Sequence, residues 1–384
     1  MSWREIALGS AIHVKHGFAF KGEFFADQGE HIVLTPGNFH EQGGFRSRPG
    51  KDRAYAGDIP EAFILDEGNL IVAMTEQGEG LLGSAALIPE ANRYLHNQRL
   101  GLVDFVDPMQ LDKRFLYLLF NTRSVRSQIS GSASGTKVRH TAPERIYRVQ
   151  VRVPDVRVQA EIADAVLAYD DLIDNNRRRM ALLEESARLL YNEWFLRLRF
   201  PGHEHTPIVD GVPQGWDRVP LEDALVLQRG FDLPTQERQE GLVPIYGSTG
   251  VVGHHHQAKV AAPGVVTGRS GTLGSVHFVA EDYWPLNTAL WVKEFKRVTP
   301  LFALFLLRSM DLKQYNGGAS VPTLDRKSAH RVEILIPSKQ LIRSFDDFAA
   351  DTFKQIKNLE SQNQKLRAAR DLLLPRLMSG DLIA

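Results

Sequence analysis

The strongest local charge imbalance of the sequence lies between residues 123 and 148. Only Glu144 opposes the cations there, which are Arg123, Arg126, Lys137, Arg139, Arg145 and Arg148. Such cations can neutralise nucleic-acid phosphates, and backbone N–H groups of Gly131–Ser134 could assist them. The alternative is a solvated surface loop. We favour nucleic-acid contact because Arg326 and Lys327 follow a comparable stretch, Gly317–Ser320, in the second half, where Ser320 is itself a candidate contact.

Two polar loops carry side chains that suit the edges of bases. The first contains Thr75 and Gln77, and the second contains Arg269, Ser270 and Thr272. Arginine can pair bidentately with guanine, and glutamine with adenine. The alternative, a plain hairpin turn, stays open for each of these residues.

Lys15 and Arg229 are further candidate contacts, because each lies just before a Gly-Phe pair. We expect the glycines, Gly17 and Gly230, to serve backbone geometry. The following phenylalanines, Phe18 and Phe231, are expected in the core rather than as stacking platforms for bases.

The sequence contains no convincing catalytic or metal-binding motif. His254–His256 alternate between the faces of a strand and are poorly placed to chelate one ion. Asp282 with Glu294 and Lys296 imitates a nuclease carboxylate pattern, but the other half of the chain has no counterpart. The chain has no Pro-Pro, as an amino-methyltransferase loop would need, and no cysteine. We therefore predict no catalytic residue and no metal site.

The totals indicate a multidomain protein without strong overall charge. The chain has 384 residues, which favours two or three domains, and Lys+Arg equals Asp+Glu at 46 each. The amino terminus lacks a signal-peptide pattern, and the obvious apolar run Leu301–Leu307 is too short to span a bilayer. A cytoplasmic location is the expectation.

An internal repeat organises the chain. Trp3, Gly17 and Phe18 recur 213 residues later as Trp216, Gly230 and Phe231. From the strand before each Pro154 and Pro337 onward, the offset is 183 and holds without a gap. Strand-like runs between glycine and proline turns precede a helical stretch in each half.

A long heptad helix follows each half. Its first copy runs from about Arg157 to Phe195, with apolar residues alternating at four and three positions, and is roughly 60 Å long at 1.5 Å per residue. Asn176 interrupts the first seam and Asn363 the second. If Asn176 faces Asn363 in an antiparallel pair, apolar residues meet nearly throughout, so these asparagines would set the register.

These patterns predict an α+β fold with two mixed α/β domains separated by two long antiparallel helices, in a pseudo-two-fold repeat. The predicted bounds are 1–155 for the first domain, 156–200 for the central helix, 201–215 for a linker, 216–338 for the second domain and 339–384 for the carboxy-terminal helix.

This plan resembles the specificity (S) subunits of type I restriction–modification systems over essentially the whole chain. The local patterns that carry the resemblance are His16–Phe20, Gly131–Ser134, Val153-Pro154 with Gln159, and Leu372–Leu382. Ile342 replaces the glutamine in the second half, which is a departure from the repeat.

The resemblance implies a DNA reader without catalysis of its own. Each domain would recognise one half of a split, asymmetric target in double-stranded DNA, and the helices would set the gap. Two methyltransferase (M) subunits would dock on the helices, and restriction (R) subunits would join through them. The chain would hold no cofactor; S-adenosylmethionine, ATP and Mg²⁺ would belong to the partners.

Two other classes stay open at this point. One is a stand-alone DNA-acting enzyme such as a nuclease, and the other is a coiled-coil scaffold that binds protein. Cleavage of DNA by the chain alone would favour the first, and failure to bind DNA with M present would favour the second.

Overall fold

The computed structural model describes residues 3–77, 80–318 and 320–382. The chain forms two compact units, residues 1–174 with 363–384 and residues 175–362. Each unit therefore contains one mixed domain and part of each long helix. Ala319, in the second glycine-rich stretch, lies outside the described residues.

The first unit is built from short strands and a few helices. Its strands are β1 Arg4–Ala7, β2 Ile12–His16, β3 Phe25–Ala26, β4 Ile32–Val33, β5 Ala54–Tyr55, β6 Ile64–Leu65, β7 Leu70–Ala73, β8 Thr75–Glu76, β9 Ala85–Leu87, β10 Tyr94–Leu95, β11 Leu100–Val106, β12 Arg139–His140 and β13 Gln150–Val153. Its helices are α1 Lys113–Phe120, α2 Arg123–Gly131, α3 Pro143–Tyr147 and the first part of α4 Val156–Tyr191.

A four-stranded antiparallel sheet in the order β2-β11-β7-β9 forms the centre of this unit. Strands β1 and β13 pair beside it, and a five-stranded sheet in the order β3-β5-β4-β10-β6 completes the domain. The continuous apolar run Leu70–Ala73 is buried on both faces, because α1 covers one side and the second sheet's cluster the other.

The second unit follows the same plan. Its strands are β14 Ile208–Val209, β15 Val212–Pro213, β16 Asp217–Pro220, β17 Leu225–Arg229, β18 Val243–Gly247, β19 Gly250–His255, β20 Gly264–Gly268, β21 Val276–Val279, β22 Trp284–Pro285, β23 Ala289–Phe295 and β24 Glu333–Ile336. Its helices are α5 Leu221–Ala224, α6 Pro300–Ser309, α7 Arg326–His330, the last part of α4 and the first part of α8 Lys339–Ser379. A π-helical turn, Asn192–Leu196, extends α4.

The internal repeat is visible in the sheet order. Strands β17-β23-β20-β21 form a four-stranded antiparallel sheet, which matches β2-β11-β7-β9 strand for strand. Strands β16 and β24 pair as β1 and β13 do. The two halves of the sequence therefore encode the same central topology, whereas the second sheet has five strands in the first unit and three, in the order β19-β18-β22, in the second.

The repeated glycines allow a close backbone approach. A Cβ on Gly17 would lie 2.1 Å from the carbonyl oxygen of Asn97, and one on Gly230 would lie 2.2 Å from that of Leu286. The next residues, Phe18 and Phe231, pack in apolar clusters as the sequence predicts. Neither glycine has a positive φ, so the lack of a side chain, rather than backbone freedom, explains both.

The long helices pack against each other and run antiparallel, as predicted. In the first unit, Asp170 of α4 forms an ion pair with Arg370 of α8, and Asn363 donates from Nδ2 to the carbonyl oxygen of Ile173 over 3.3 Å. In the second unit, the ring of Phe345 lies 5.7 Å from that of Tyr191. Asn176 is buried, and its pairing with Asn363 stays a prediction.

The glutamine that the repeat does not share has a structural role. Gln159 is fully buried and donates from Nε2 to the carbonyl oxygens of Gln110 and Pro154, at 2.9 and 2.8 Å. Its Oε1 accepts from the backbone N–H of Asp112 at 3.0 Å. Ile342 instead joins the apolar core of the second unit. No helix in the described parts of the chain is long and apolar enough to cross a membrane.

Candidate nucleic-acid interface

The first unit brings two of the predicted segments together. Strand β8, after the central strand β7, pairs antiparallel with β12, so that Thr75 lies opposite His140 and Glu76 opposite Arg139. Thr75 Oγ1 lies 3.2 Å from His140 Nδ1, and Ser134 exchanges two backbone hydrogen bonds with His140. The polar loop and the basic glycine-rich segment therefore form one surface.

The second unit repeats this pairing with different side chains. Ser270 forms a bridge with Thr323, and the N–H of Gly271 donates to the carbonyl oxygen of Pro322 at 2.9 Å. The N–H of Leu324 donates to the carbonyl oxygen of Arg269, as that of Thr141 donates to Met74 in the first unit. Each domain thus presents an equivalent loop pair.

The carboxylate of Glu76 lies inside the first loop pair. Only 2% of this residue is exposed. Its Oε2 accepts from the backbone N–H groups of Gly80, Leu81 and Leu82, at 3.1, 2.9 and 2.8 Å. Its Oε1 lies 3.3 Å from Nη1 of Arg139. Sequence reasoning did not select Glu76, because burial is not visible in the loop's composition.

Part of the basic cluster is bound within the protein. Arg139 donates to the carbonyl and hydroxyl oxygens of Ser130, besides pairing with Glu76. Arg126 donates from Nε to the carbonyl oxygen of Leu82 at 2.8 Å and from Nη1 to that of Glu41 at 3.0 Å. These two guanidiniums organise loops, so the number of cations overstates the charge available to a phosphate.

The exposed candidates of the first unit are fewer. Arg123, Lys137 and Gln77 are exposed, whereas Thr75 is buried beside His140. Lys15 donates from Nζ to the carbonyl oxygen of Ala62 at 2.8 Å, and its ammonium lies 4.7 Å from the centre of the Phe63 ring.

The candidates of the second unit also divide into held and exposed side chains. Arg269 is half-buried and donates to the carbonyl oxygen of Asn287 at 3.0 Å. Arg229 pairs with Asp232 at 3.0 Å, and Arg326 donates to the carbonyl oxygen of Leu227 at 3.3 Å. The exposed or partly exposed hydroxyl and ammonium groups are those of Ser270, Thr272, Ser320 and Lys327.

Arg99 in the first unit and Ser248 in the second lie beside the loop pairs, although neither was predicted from the sequence. In the first unit, exposed Arg99 accepts from the N–H of Met74 through its carbonyl oxygen at 3.0 Å, directly before β8. In the second unit, a Cβ on Gly268 would lie 2.9 Å from the carbonyl oxygen of Ser248 in the β18–β19 turn. Both contacts join residues distant in sequence, so no local pattern signals them.

Burial also sets the protonation of His96, in the first unit. Desolvation lowers the pKa of His96 to about 4. The neutral ring lies with Nε2 3.0 Å from the carbonyl oxygen of Leu100, where β11 begins. His96 therefore fixes the start of the strand that pairs with β7.

The other chemistry-bearing residues are engaged in the fold. Buried His255 accepts from the backbone N–H of Gln239 at Nδ1, 3.1 Å away. Asp282 accepts from the N–H of Ala262 at 2.9 Å, and Lys296 donates to the carbonyl oxygen of Glu222 at 2.9 Å. Within residues 3–77, 80–318 and 320–382, no group of three His, Cys, Asp or Glu side chains could hold a metal ion.

Comparisons with known proteins agree with this architecture. Residues 2–185 match the family described as the type I restriction modification DNA specificity domain. The chain is 22% identical over 296 residues to the type I restriction enzyme MjaIX specificity subunit of Methanocaldococcus jannaschii, covering 70% of this chain and 68% of that one. It is 21% identical over 358 residues to the HindI specificity subunit of Haemophilus influenzae, covering 70% and 76%.

The fold has a counterpart among solved structures. The crystal structure of a type I restriction–modification S subunit from M. genitalium matches with a TM-score of 0.62 at 16% identity, covering 98% of this chain and 96% of that one. A sequence match in the first half and a fold match over nearly the whole chain thus point the same way. Residues 2–185 thus resemble a type I restriction modification DNA specificity domain, and the chain as a whole is similar to type I specificity subunits in sequence and in fold.

Proposed function

We propose that the chain reads a bipartite, asymmetric target in double-stranded DNA, with one half-site for each domain. The observation that supports this most directly is the equivalent loop pair of the two units. Thr75 and Gln77 occupy the first pair, and Ser270 with Arg269 the second. Because the backbone is shared and the side chains differ, the two half-sites should have different sequences.

Docking of two M subunits is the second part of the proposal. Leu189 of α4 and Leu372 of α8 hold equivalent positions, 183 residues apart, and are 51% and 68% exposed. An exposed leucine at the same place in each repeat suits two copies of one apolar partner surface. R subunits would then join the complex through M.

The chemistry of the complex would lie on the partners. S-adenosylmethionine would be bound by M, and ATP and Mg²⁺ would be used by R, while this chain supplies recognition without catalysis. We place the complex in the cytoplasm because its DNA substrate and its partners act there.

Mapping of methylated adenines tests the proposal. The full chain and the M subunits of its system are expressed in a host without other adenine methylation, and the genome is sequenced for modified bases. We expect one split motif with unlike halves. A continuous or palindromic motif would contradict the assignment of one half-site to each domain, and methylation without any motif would contradict sequence reading itself.

A further inference from the structure

We propose that Glu76 is a positioning residue for the first half-site. Its buried carboxylate ties the end of β8 to the turn at residues 80–82 and to Arg139, and so holds the strand end from which Gln77 would meet a base edge. This inference rests on the proposed reading of DNA by the loop pair. Glu76 would thus influence specificity without contacting DNA itself.

The Glu76 carboxylate is a buried group that holds other parts of the chain, and we call its contacts with residues 80–82 and Arg139 the clamp. An ionised carboxylate almost fully removed from water is tolerated only when it is paired and hydrogen-bonded. Glu76 meets this requirement with the three backbone N–H groups of the turn on one oxygen and the Arg139 guanidinium on the other. The turn therefore depends on one side chain for three donors that no strand partner satisfies.

A cation holds the same turn through its carbonyl groups. Arg126, in α2, donates to the carbonyl oxygens of Gly80 and Leu82. The N–H groups of the turn are thus bound by Glu76 and two of its carbonyl groups by Arg126. Side chains of opposite charge therefore hold the backbone of residues 80–82 before any ligand arrives.

Gln77 is the exposed residue next to this buried contact network. It follows Glu76 directly and is exposed, whereas Thr75 on the other side is buried against His140. Residues 78 and 79 lie outside the described residues. A glutamine amide can make two hydrogen bonds to adenine, and holding the preceding strand end in one orientation lowers the cost of ordering that contact.

The second unit lacks this clamp. Gly271 takes the place of Glu76 in the repeated loop pair, and its N–H is bound to the carbonyl oxygen of Pro322. The loop there is held by backbone contacts, including those of Arg269 and Ser270 with the carbonyl oxygen of Thr288. Loss of the clamp should therefore affect one half-site only, which provides an internal control.

The test measures discrimination between base pairs, not affinity alone. The full chain, in complex with M subunits, is used to select targets from a random DNA duplex library. Single base-pair variants of the selected target are then ranked in competition binding. The proteins are wild type, Glu76→Gln, Glu76→Asp and Gln77→Ala. Glu76→Gln keeps the size but turns an amide toward Arg139, while Glu76→Asp keeps the charge and shortens the reach.

We expect Glu76→Gln and Gln77→Ala to lose about tenfold discrimination at the same base pairs of one half-site, as expected for one specific contact. Glu76→Asp should lose less, and the other half-site should be unchanged. A merely structural role would weaken binding to all targets equally. Uniform weakening, unchanged discrimination or effects at different base pairs would overturn the proposal while leaving DNA reading intact.

Two further outcomes are also decisive. If the wild type selects no motif, the proposed function fails together with this inference. If Glu76→Gln does not fold, as judged by circular dichroism, the comparison of Glu76→Asp with Gln77→Ala decides. Full discrimination by Glu76→Asp, or no loss in Gln77→Ala, would then count against Glu76 as a positioning residue.

Discussion

The backbone N–H of Leu227 donates a hydrogen bond to Nε2 of His330 over 3.0 Å. In the other repeat, the N–H of Val14 donates to the hydroxyl oxygen of Tyr147 over the same 3.0 Å. A side chain of the short helix α3 thus accepts from β2, and one of α7 accepts from β17. Protonation of Nε2 would remove the acceptor of His330, whereas the hydroxyl oxygen of Tyr147 remains an acceptor.

This difference predicts pH-dependent stability of the second unit. Burial, followed by nearby Arg326, lowers the pKa of His330, although Glu222 opposes this and Lys296 adds to it. The unfolded chain, with a pKa of about 6.5, then binds the proton more readily than the folded one. The stabilisation from His330 is complete above about pH 6.5 and is lost as pH falls from there through the lowered pKa.

His330→Tyr should remove this part of the pH dependence, because a tyrosine hydroxyl is the acceptor used in the first unit. We expect the urea midpoint to fall less steeply from pH 7 to pH 5 than in wild type, while His96 continues to contribute. Exposed His254→Gln serves as the control and should behave like wild type. Equal pH slopes for His330→Tyr and wild type would show that the Leu227 hydrogen bond does not titrate.

The repeated glycines predict a matched pair of destabilised variants. Gly17→Ala and Gly230→Ala would each force a Cβ against a backbone carbonyl group, which cannot move aside as a flexible side chain can. Overpacking of this kind costs about 1–3 kcal/mol. Gly22→Ala is the control, since no heavy atom lies within 4 Å of its added Cβ. Chemical denaturation should separate these variants, and equal stability of all three would contradict the close approach.

The exposed leucines predict the stoichiometry of the complex. Arginine is a good helix former, so Leu189→Arg and Leu372→Arg should fold while losing an apolar contact worth about 1.5–3 kcal/mol. We expect each variant to retain one M subunit and the double variant to retain none, as weighed by native mass spectrometry. Gln355→Arg, at another exposed position of α8, should retain both. Two M subunits on the double variant would place the docking surface elsewhere.

The architecture could be predicted from the sequence because it is periodic. The heptads of the long helices and the offset between Gly17 and Gly230 report on topology without any coordinates. The repeat does not reveal which strands pair, because the contact of Thr75 with His140 joins segments 65 residues apart. Local patterns do not encode such a contact.

The candidate site was less predictable than the fold. A cluster of arginines indicates excess charge, but not which guanidiniums are used inside the protein. Arg126 and Arg139 bind backbone and carboxylate groups, whereas Arg123 and Lys137 stay exposed. Glu76 was not among the predicted residues, because its burial is not visible in the sequence.

Exchange of one domain tests the central proposal most directly. Residues 1–150 are replaced by those of a related specificity subunit with a known, different target, and the methylated motif of the chimaera is mapped. We predict that one half of the motif changes to that of the donor while the other half stays as in wild type. A change in both halves, or in neither, would contradict the reading of one half-site by each domain.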